Sequence, residues 1–295
     1  MAVLERIQRA LLFSRLVGYA LRVYFSVLRR TFAARLLTWT TSVPQVPIPE
    51  SEVKNVVVVG AAFAGYFAAR ILASSLPRNG RFRVVVIEPN SHFNFTWVFP
   101  RFCVIEGHEH KAFIPYTPDF FADGPKNMVQ WVRDRVTTVG RKSVTLRSGQ
   151  DIPYEYLIIA TGSTVPDGLP SRVGVESKEE GVELLRGVQA RIKAAKHIVV
   201  AGGGAAGVEL ATDAKDHYPD KCVTLVHSRL ALMHRFGPGL QTGAMESMER
   251  LGVEVILGDK VLADSADGEF ITLASGKRIE CDCFVWLPTP FGLLP

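Results

Sequence analysis

Val56-Val57-Val58-Val59-Gly60-Ala61-Ala62-Phe63-Ala64-Gly65, running on into Tyr66-Phe67-Ala68-Ala69-Arg70, decides how the rest of the chain is read. Four β-branched residues predict a buried strand, the small residues a tight turn, and the apolar run beyond it a helix. In that order they form a dinucleotide fingerprint, with Ala62 where the second glycine usually stands. Gly60 permits the turn, position 62 lets backbone amides approach a pyrophosphate, and Gly65 lets the helix pack closely on the strand. The helix N-terminus adds the positive end of a dipole. The next strand, Arg83-Val84-Val85-Val86-Ile87, closes on Glu88, an acidic residue placed to accept from a ribose hydroxyl.

The chain has 295 residues, 47% of them hydrophobic, which suits a leader and two α/β domains and excludes a disordered chain. Its net charge of +5 is unevenly placed. Residues 1–49 hold seven arginines (Arg6, Arg9, Arg15, Arg22, Arg29, Arg30 and Arg35) against Glu5, a net +6; the remainder carries +5 less +6, or −1. The body is therefore not read as a nucleic-acid binder. In the leader, arginines interrupt each apolar run before it reaches the ~20 residues of a membrane span. On a helix, Arg15, Arg22 and Arg29 share a stripe with Ser14, Gly18 and Ser26, while Leu16, Ala20, Val23, Tyr24, Val27 and Leu28 lie on the other side. Such a helix, over residues 1–40, predicts a mitochondrial transit peptide or an interfacial membrane anchor, with a cytosol-facing position as the alternative. Pro44, Pro47 and Pro49 make an extended linker that closes the leader, residues 1–52.

Cys103, Cys222, Cys281 and Cys283 give neither a disulfide framework nor a C-x-x-C pair. Cys281 and Cys283, two apart on a predicted strand, are expected on one face as small apolar residues in a reducing compartment. His108 and His110, beside Glu106 and Glu109, lack a third ligand group at a telling spacing, and no metal site is expected.

After the aromatic, loop-rich stretch 90–116, strands are predicted at 129–136 and 143–146, followed by a Ser148-Gly149 turn. The strand Tyr156-Leu157-Ile158-Ile159 then enters Ala160-Thr161-Gly162. A second fingerprint follows in His197-Ile198-Val199-Val200-Ala201-Gly202-Gly203-Gly204-Ala205-Ala206-Gly207-Val208-Glu209, with all three glycines at 202, 204 and 207. Its acidic slot, after Val223-Thr224-Leu225-Val226, holds His227, with Arg229 two residues on. Without an acid a ribose 2′-hydroxyl loses its usual acceptor, and Arg229 could meet a 2′-phosphate, which favours NADPH over NADH. The halves repeat further: 145–152 (TLRSGQDI) matches 272–279 (TLASGKRI). Two such units imply two dinucleotides, most simply a flavin and a nicotinamide.

These residues resemble the two-dinucleotide-binding flavoprotein oxidoreductases. Within that group the likeness is to apoptosis-inducing-factor-like quinone oxidoreductases, including the ferroptosis suppressor group, and to type II NADH dehydrogenases. It covers Val53 to about Trp286 and rests on the first fingerprint with Glu88, on Ala160-Thr161-Gly162, and on the second fingerprint ending Gly207-Val208-Glu209. The resemblance implies an α/β fold of two Rossmann-like units with antiparallel β excursions, an FAD domain over 53–168 and an NAD(P)H domain over 169–287 inserted into it. It places Gly60, Ala62, Gly65 and Glu88 at the ADP half of FAD, with Arg101, Lys111, Val136, Ala160, Thr161 and Gly162 also near that cofactor. It places Gly202, Gly204 and Gly207 at the NAD(P)H pyrophosphate, where the sequence itself adds Arg229, and gives Glu209 a role in orienting the nicotinamide. Lys111 would stabilise negative charge on the reduced flavin. The implied reaction passes a hydride from NAD(P)H to FAD and on to a quinone or similar two-electron acceptor, and the missing redox Cys pair disfavours the disulfide reductases.

Leu287-Pro288-Thr289 aligns with Ala160-Thr161-Gly162, and 288–295 reads as a divergent tail. The resemblance implies a later return to the FAD domain with a Gly-Asp motif and an interface domain, so the FAD domain is expected to be incomplete at its C-terminus. Two expectations follow: an oxidoreductase whose reading frame is truncated or mis-spliced, or a catalytically inactive nucleotide-binding or membrane-associated remnant. Nothing in the sequence fixes an oligomeric state.

Overall fold

A computed structural model describes residues 2–40, 48–77, 79–117, 128–163, 169–170, 172–264 and 269–287. Pro44 and Pro47 of the expected linker, the boundary at 168 and the tail 288–295 lie outside them. The chain forms two compact units, 1–89 with 117–161, and 90–116 with 162–295.

The first unit opens with a continuous helix, α1 (Ala2–Thr40). Beyond a short 3-10 turn, β1 (Lys54–Val59) runs through the fingerprint turn into α2 (Phe63–Ser75) and then β2 (Phe82–Ile87). β1 and β2 pair in parallel, Val56 opposite Val84 and Val59 opposite Ile87. Asn55 to Val59 are all buried, as an unbroken β-branched run covered on both faces requires.

The stretch 90–116 groups with the second unit, although it precedes residue 117 in the chain. It carries the short antiparallel pair β3 (His92–Asn94) and β4 (Phe113–Pro115), with one helical turn, α3 (Phe99–Phe102), between them. Packing explains the grouping: Phe99, Cys103, Val104, Ala112 and Phe113 are fully buried in one cluster with Leu185, Ile192, Leu210 and Ala211.

The single strand expected over 129–136 is two strands in different sheets. β5 (Val129–Val132) extends the parallel sheet beside β2, whereas β6 (Val136–Val139) starts an antiparallel meander with β7 (Ser143–Leu146) and β8 (Asp151–Pro153). Between them Asp134 accepts from the Arg135 amide and from the Ser148 amide in the turn between β7 and β8, so the chain leaves the parallel sheet tied to the meander. β9 (Tyr156–Ile159) returns beside β1 and completes the order β5-β2-β1-β9.

The second unit repeats this plan. α4 (Lys178–Ala194) leads into β10 (His197–Ala201), α5 (Ala205–His217), β11 (Cys222–His227), α6 (Pro238–Leu251) and β12 (Glu254–Leu257). The meander β13 (Val261–Asp264), β14 (Phe270–Leu273) and β15 (Arg278–Glu280) precedes β16 (Cys283–Trp286), giving the order β12-β11-β10-β16. The sequence repeat becomes structure here. Leu146 and Ile152 seal the meander of the first unit onto Val57 and Ile87, and Leu273 and Ile279 seal that of the second onto Val199 and Val226.

Cys281 and Cys283 do not share a face. Cys281 precedes β16 and joins the meander core, while Cys283 faces the α4–α5 core, because the Asp282 turn separates them. Both are buried, and neither forms a disulfide.

Candidate functional site: two glycine turns

Each fingerprint turn follows the C-terminal end of an inner strand of a four-stranded parallel sheet. There the neighbouring strands are reached in opposite directions, and such sheets receive ligands at that point. Gly60 leaves β1 with φ +92°, and its amide donates to the Ile87 carbonyl at 2.8 Å. A Cβ at this position would stand 2.5 Å from the Ala160 carbonyl oxygen and 3.2 Å from Thr161 Cα. A Cβ on Gly65 would stand 1.8 Å from the Gly60 carbonyl oxygen. Both glycines are thus dictated by backbone contact.

Position 62 is not so constrained. Ala62 caps α2 with φ −71° and ψ −159°, extended backbone that any residue adopts, which is why alanine serves. Its counterpart Gly204 has φ −81° and ψ −176°, and nothing lies within 4 Å of a Cβ there. Glu88 is buried at the end of β2, and its Oε2 accepts from the Ala61 amide at 2.7 Å. The carboxylate thus braces the turn at the place where a nucleotide ribose would lie. The first-turn amides of α2 have no intrahelical acceptor, so together with Glu88 they could hold a pyrophosphate and its ribose.

The second turn is built alike. Gly202 has φ +128°, its amide donates to Val226 at 2.9 Å, and a Cβ on Gly207 would stand 1.8 Å from the Gly202 carbonyl oxygen. The Leu287 amide donates to the Ala201 carbonyl at 2.9 Å, as Ala160 donates to Val59 at 2.8 Å. Leu287 therefore occupies the place of Ala160, as the internal repeat implies, and its carbonyl oxygen lies 2.6 Å from where a Gly202 Cβ would be. In place of a bracing carboxylate, buried His227 packs on the turn, its Cγ 2.7 Å from a Cβ built on Gly203.

The charged candidates distribute as follows. Glu209 lies on the first turns of α5, with Asp213 one turn on. Arg101, from α3, meets Asp213 at 3.2 Å, which gathers Arg101, Asp213 and Glu209 into one cluster of the second unit. Burial, then the Asp213 charge, raises the Glu209 carboxyl above its ordinary range, with Arg101 opposing. Burial raises Asp213 as well, against Arg101, and its Oδ2 is buried with no hydrogen-bond partner among the described residues.

Lys111 stands apart, its Nζ 3.3 Å from His108 Nδ1 on the 3-10 turn Glu109–Ala112. Arg229 is exposed just beyond β11. Val136 opens β6 and packs against the core of its own unit. Gly162 has φ +72° and open space where a Cβ would go.

Two features escaped the sequence. Buried Gln189, on α4, donates to the Phe102 carbonyl at 2.7 Å and to Glu109 Oε1 at 2.8 Å, which fastens the segment bearing Arg101 and Lys111. Glu106 pairs with Lys193 and Glu109 with Gln189, so the acids beside His108 and His110 are engaged elsewhere. The second feature is the ring pair His227 and His234, with centroids 5.5 Å apart. A cleft of the first unit, about 1070 Å³ and lined in part by Lys54, Arg83 and Glu155, opens at the N-terminal ends of β1 and β2, away from the glycine turn.

A model of the pyridine nucleotide-disulphide oxidoreductases matches residues 54–287, which include both turns. The chain belongs to this family. It is 37% identical to Fe-regulated protein 8 of Mycosarcoma maydis, over 80% of this chain and 64% of that protein. It is 36% identical to ferroptosis suppressor protein 1 of Xenopus laevis, over 70% of this chain and 53% of that protein. The chain thus spans between half and two thirds of the length of these curated relatives. Among solved structures, the ferredoxin reductase for the CYP199A2 system of Rhodopseudomonas palustris matches with a TM-score of 0.60 at 22% identity, over 79% of this chain and 58% of that one. That likeness is one of fold.

Proposed function

We propose that this family member holds FAD on the Gly60–Gly65 turn and NAD(P)H on the Gly202–Gly207 turn, and that it reduces a quinone or similar two-electron acceptor. The observation that carries the reading is the pair of turns with matching backbone hydrogen bonds and glycine contacts but unlike second-strand ends. Buried Glu88, bonded at 2.7 Å to the first turn, suits an unmodified ribose, whereas His227 with Arg229 suits a 2′-phosphate. The residues fit such ligands because side chains are excluded at 60, 65, 202 and 207, leaving bare backbone amides for a pyrophosphate.

Flavin, once bound, supplies the two-electron chemistry between nicotinamide and acceptor. The chain's own residues bind and orient. Glu209, raised by burial and by Asp213, orients the nicotinamide, and Lys111 offsets charge on the reduced ring. The helix α1, with the net +6 of residues 1–49, lies on a membrane surface, where a lipid-soluble acceptor is concentrated.

Purification tests the reading directly. The protein is expected to be yellow, with a flavin absorption band that NADPH or NADH bleaches and a soluble quinone restores. Colourless protein, or a band indifferent to both nucleotides, defeats it.

A further inference from the structure

At the end of β11, His227 is 6% exposed, and its Nε2 is buried without a hydrogen-bond partner among the described residues. Nδ1 of neighbouring His234 is buried and unpartnered in the same sense. The two rings lie 5.5 Å apart at 33°, and His227 packs on the Gly203 step of the glycine turn. The charges that neighbours exert on the pair are cationic: Arg229 on both rings and Arg235 on His234, and protonation of either ring opposes that of the other. From the link between β12 and β13, Asp259 donates its amide to the His227 carbonyl at 3.3 Å, but its carboxylate is committed to Ser275 and the Lys260 amide. A buried pair of ring nitrogens among cations, beside the second glycine turn, has no anionic partner among the described residues.

We propose that the His227–His234 pair takes up one proton from solvent when a 2′-phosphorylated adenosine binds, so that pH sets the preference for NADPH over NADH. This rests on the reading of the second turn as the NAD(P)H site. Burial and neighbouring positive charge hold both rings below the ordinary histidine range, so the pair is neutral at pH 7.5 before the ligand arrives. A phosphate dianion reverses the local sign of charge and draws the proton onto the pair. By linkage, the 2′-phosphate then binds more weakly as pH rises, by at most about tenfold per unit.

The test is calorimetry of the whole chain with 5′-AMP and with 2′,5′-ADP, which differ only in the 2′-phosphate. Titrations run in buffers of different ionisation enthalpy at pH 7.5, where the phosphate's second ionisation, near pH ~6, is nearly complete. 2′,5′-ADP is expected to take up about one proton more than AMP, and its affinity advantage is expected to fall by roughly ten- to thirtyfold from pH 6.5 to 8.0. His234→Gln should abolish the extra uptake, and so should His227→Asn where it folds. Arg229→Ala should weaken 2′,5′-ADP and leave the uptake in place. Tighter 2′,5′-ADP binding with no extra proton overturns this proposal and leaves the NAD(P)H site standing. No binding of either nucleotide overturns both.

Discussion

Gly60→Ala would put a methyl 2.5 Å from the Ala160 carbonyl oxygen and hold a Cβ-bearing residue at φ +92°. Its obstacle is backbone in the sheet centre, so the expected loss of stability exceeds about 2 kcal/mol. Ala62→Gly, two residues on, should change stability by no more than about 1 kcal/mol, and upward if at all, because glycine caps a helix better than alanine. Urea denaturation of the two variants checks this, and equal losses would contradict the geometry. The carboxyl pair on α5 gives a pH prediction. Glu209 and Asp213 are both raised by burial first. A raised folded value means that the native state binds the proton more tightly than the unfolded chain. The stabilisation is full below the unfolded value near ~4 and lost as pH rises through the folded one. Asp213→Asn, which keeps an acceptor for Arg101, should therefore be more stable than the parent at pH 7, by up to about 1 kcal/mol, with the gap closing toward pH 4. Denaturant titrations at the two pH values decide it, and a gap that widens on acidification would refute the assignment.

The repeated element is more than a matched pair of loops. In the first unit Asp134 accepts from the amides of Arg135 at 2.7 Å and Ser148 at 3.2 Å. In the second, Asp259 accepts from Lys260 at 2.8 Å and Ser275 at 3.2 Å. Each aspartate ties the first strand of a meander to its Ser-Gly turn, and the serine hydrogen bond holds each carboxyl below its ordinary range. The sign is opposite to that of Asp213: this stabilisation is present above the unfolded value and lost as pH falls through the lower folded one. Asp259→Ala should speed amide exchange at Lys260 and Ser275 while leaving β10 and β11 protected, and uniform loss of protection would count against a local clamp. The repeat itself was legible from 145–152 and 272–279, and β9 begins and ends at the residues predicted for it. These elements are local, with their apolar period, turn residues and strand formers all adjacent in sequence. The break between β5 and β6, the opposite faces of Cys281 and Cys283, and the grouping of 90–116 with α4 and α5 were not legible, because each is decided by partners far along the chain. Phe113 shows why: it fills the space above Gly181, where a Cβ would stand 2.7 Å from its ring. Gly181→Ala, ordinarily a gain inside a helix, should here cost about 1–3 kcal/mol. A thermal melt of that variant above the parent's would show that the ring moves aside freely.

At the scale of the whole molecule, charge divides the chain into a basic helix and a nearly neutral body, +6 against −1. The expectation of a cleanly two-faced leader meets a difference in the structure. α1 is one helix of 39 residues, and the stripe of Arg15, Gly18, Arg22 and Arg29 also carries Leu11 and Phe25, which are 56% and 64% exposed. Spacings of three and four residues put these six positions in line, so apolar surface runs around most of the helix. By length and composition, the 24 residues Arg6–Arg29 are apolar enough to cross a bilayer, which the interruption by arginines had argued against. Magnitudes favour the surface. Arg15 and Arg22 would sit inside the hydrocarbon, at about 2.5–3.5 kcal/mol each near its centre. On an anionic surface the same side chains gain about 1 kcal/mol apiece. The full chain should therefore float with vesicles containing phosphatidylserine, leave them in 0.5 M salt or alkaline carbonate, and ignore neutral vesicles. Arg15→Leu with Arg22→Leu removes the penalty for spanning and should convert the chain to a carbonate-resistant form. Carbonate resistance of the parent would overturn the surface position, and a double variant still released by carbonate would show that the two arginines are not what keeps α1 out of the hydrocarbon.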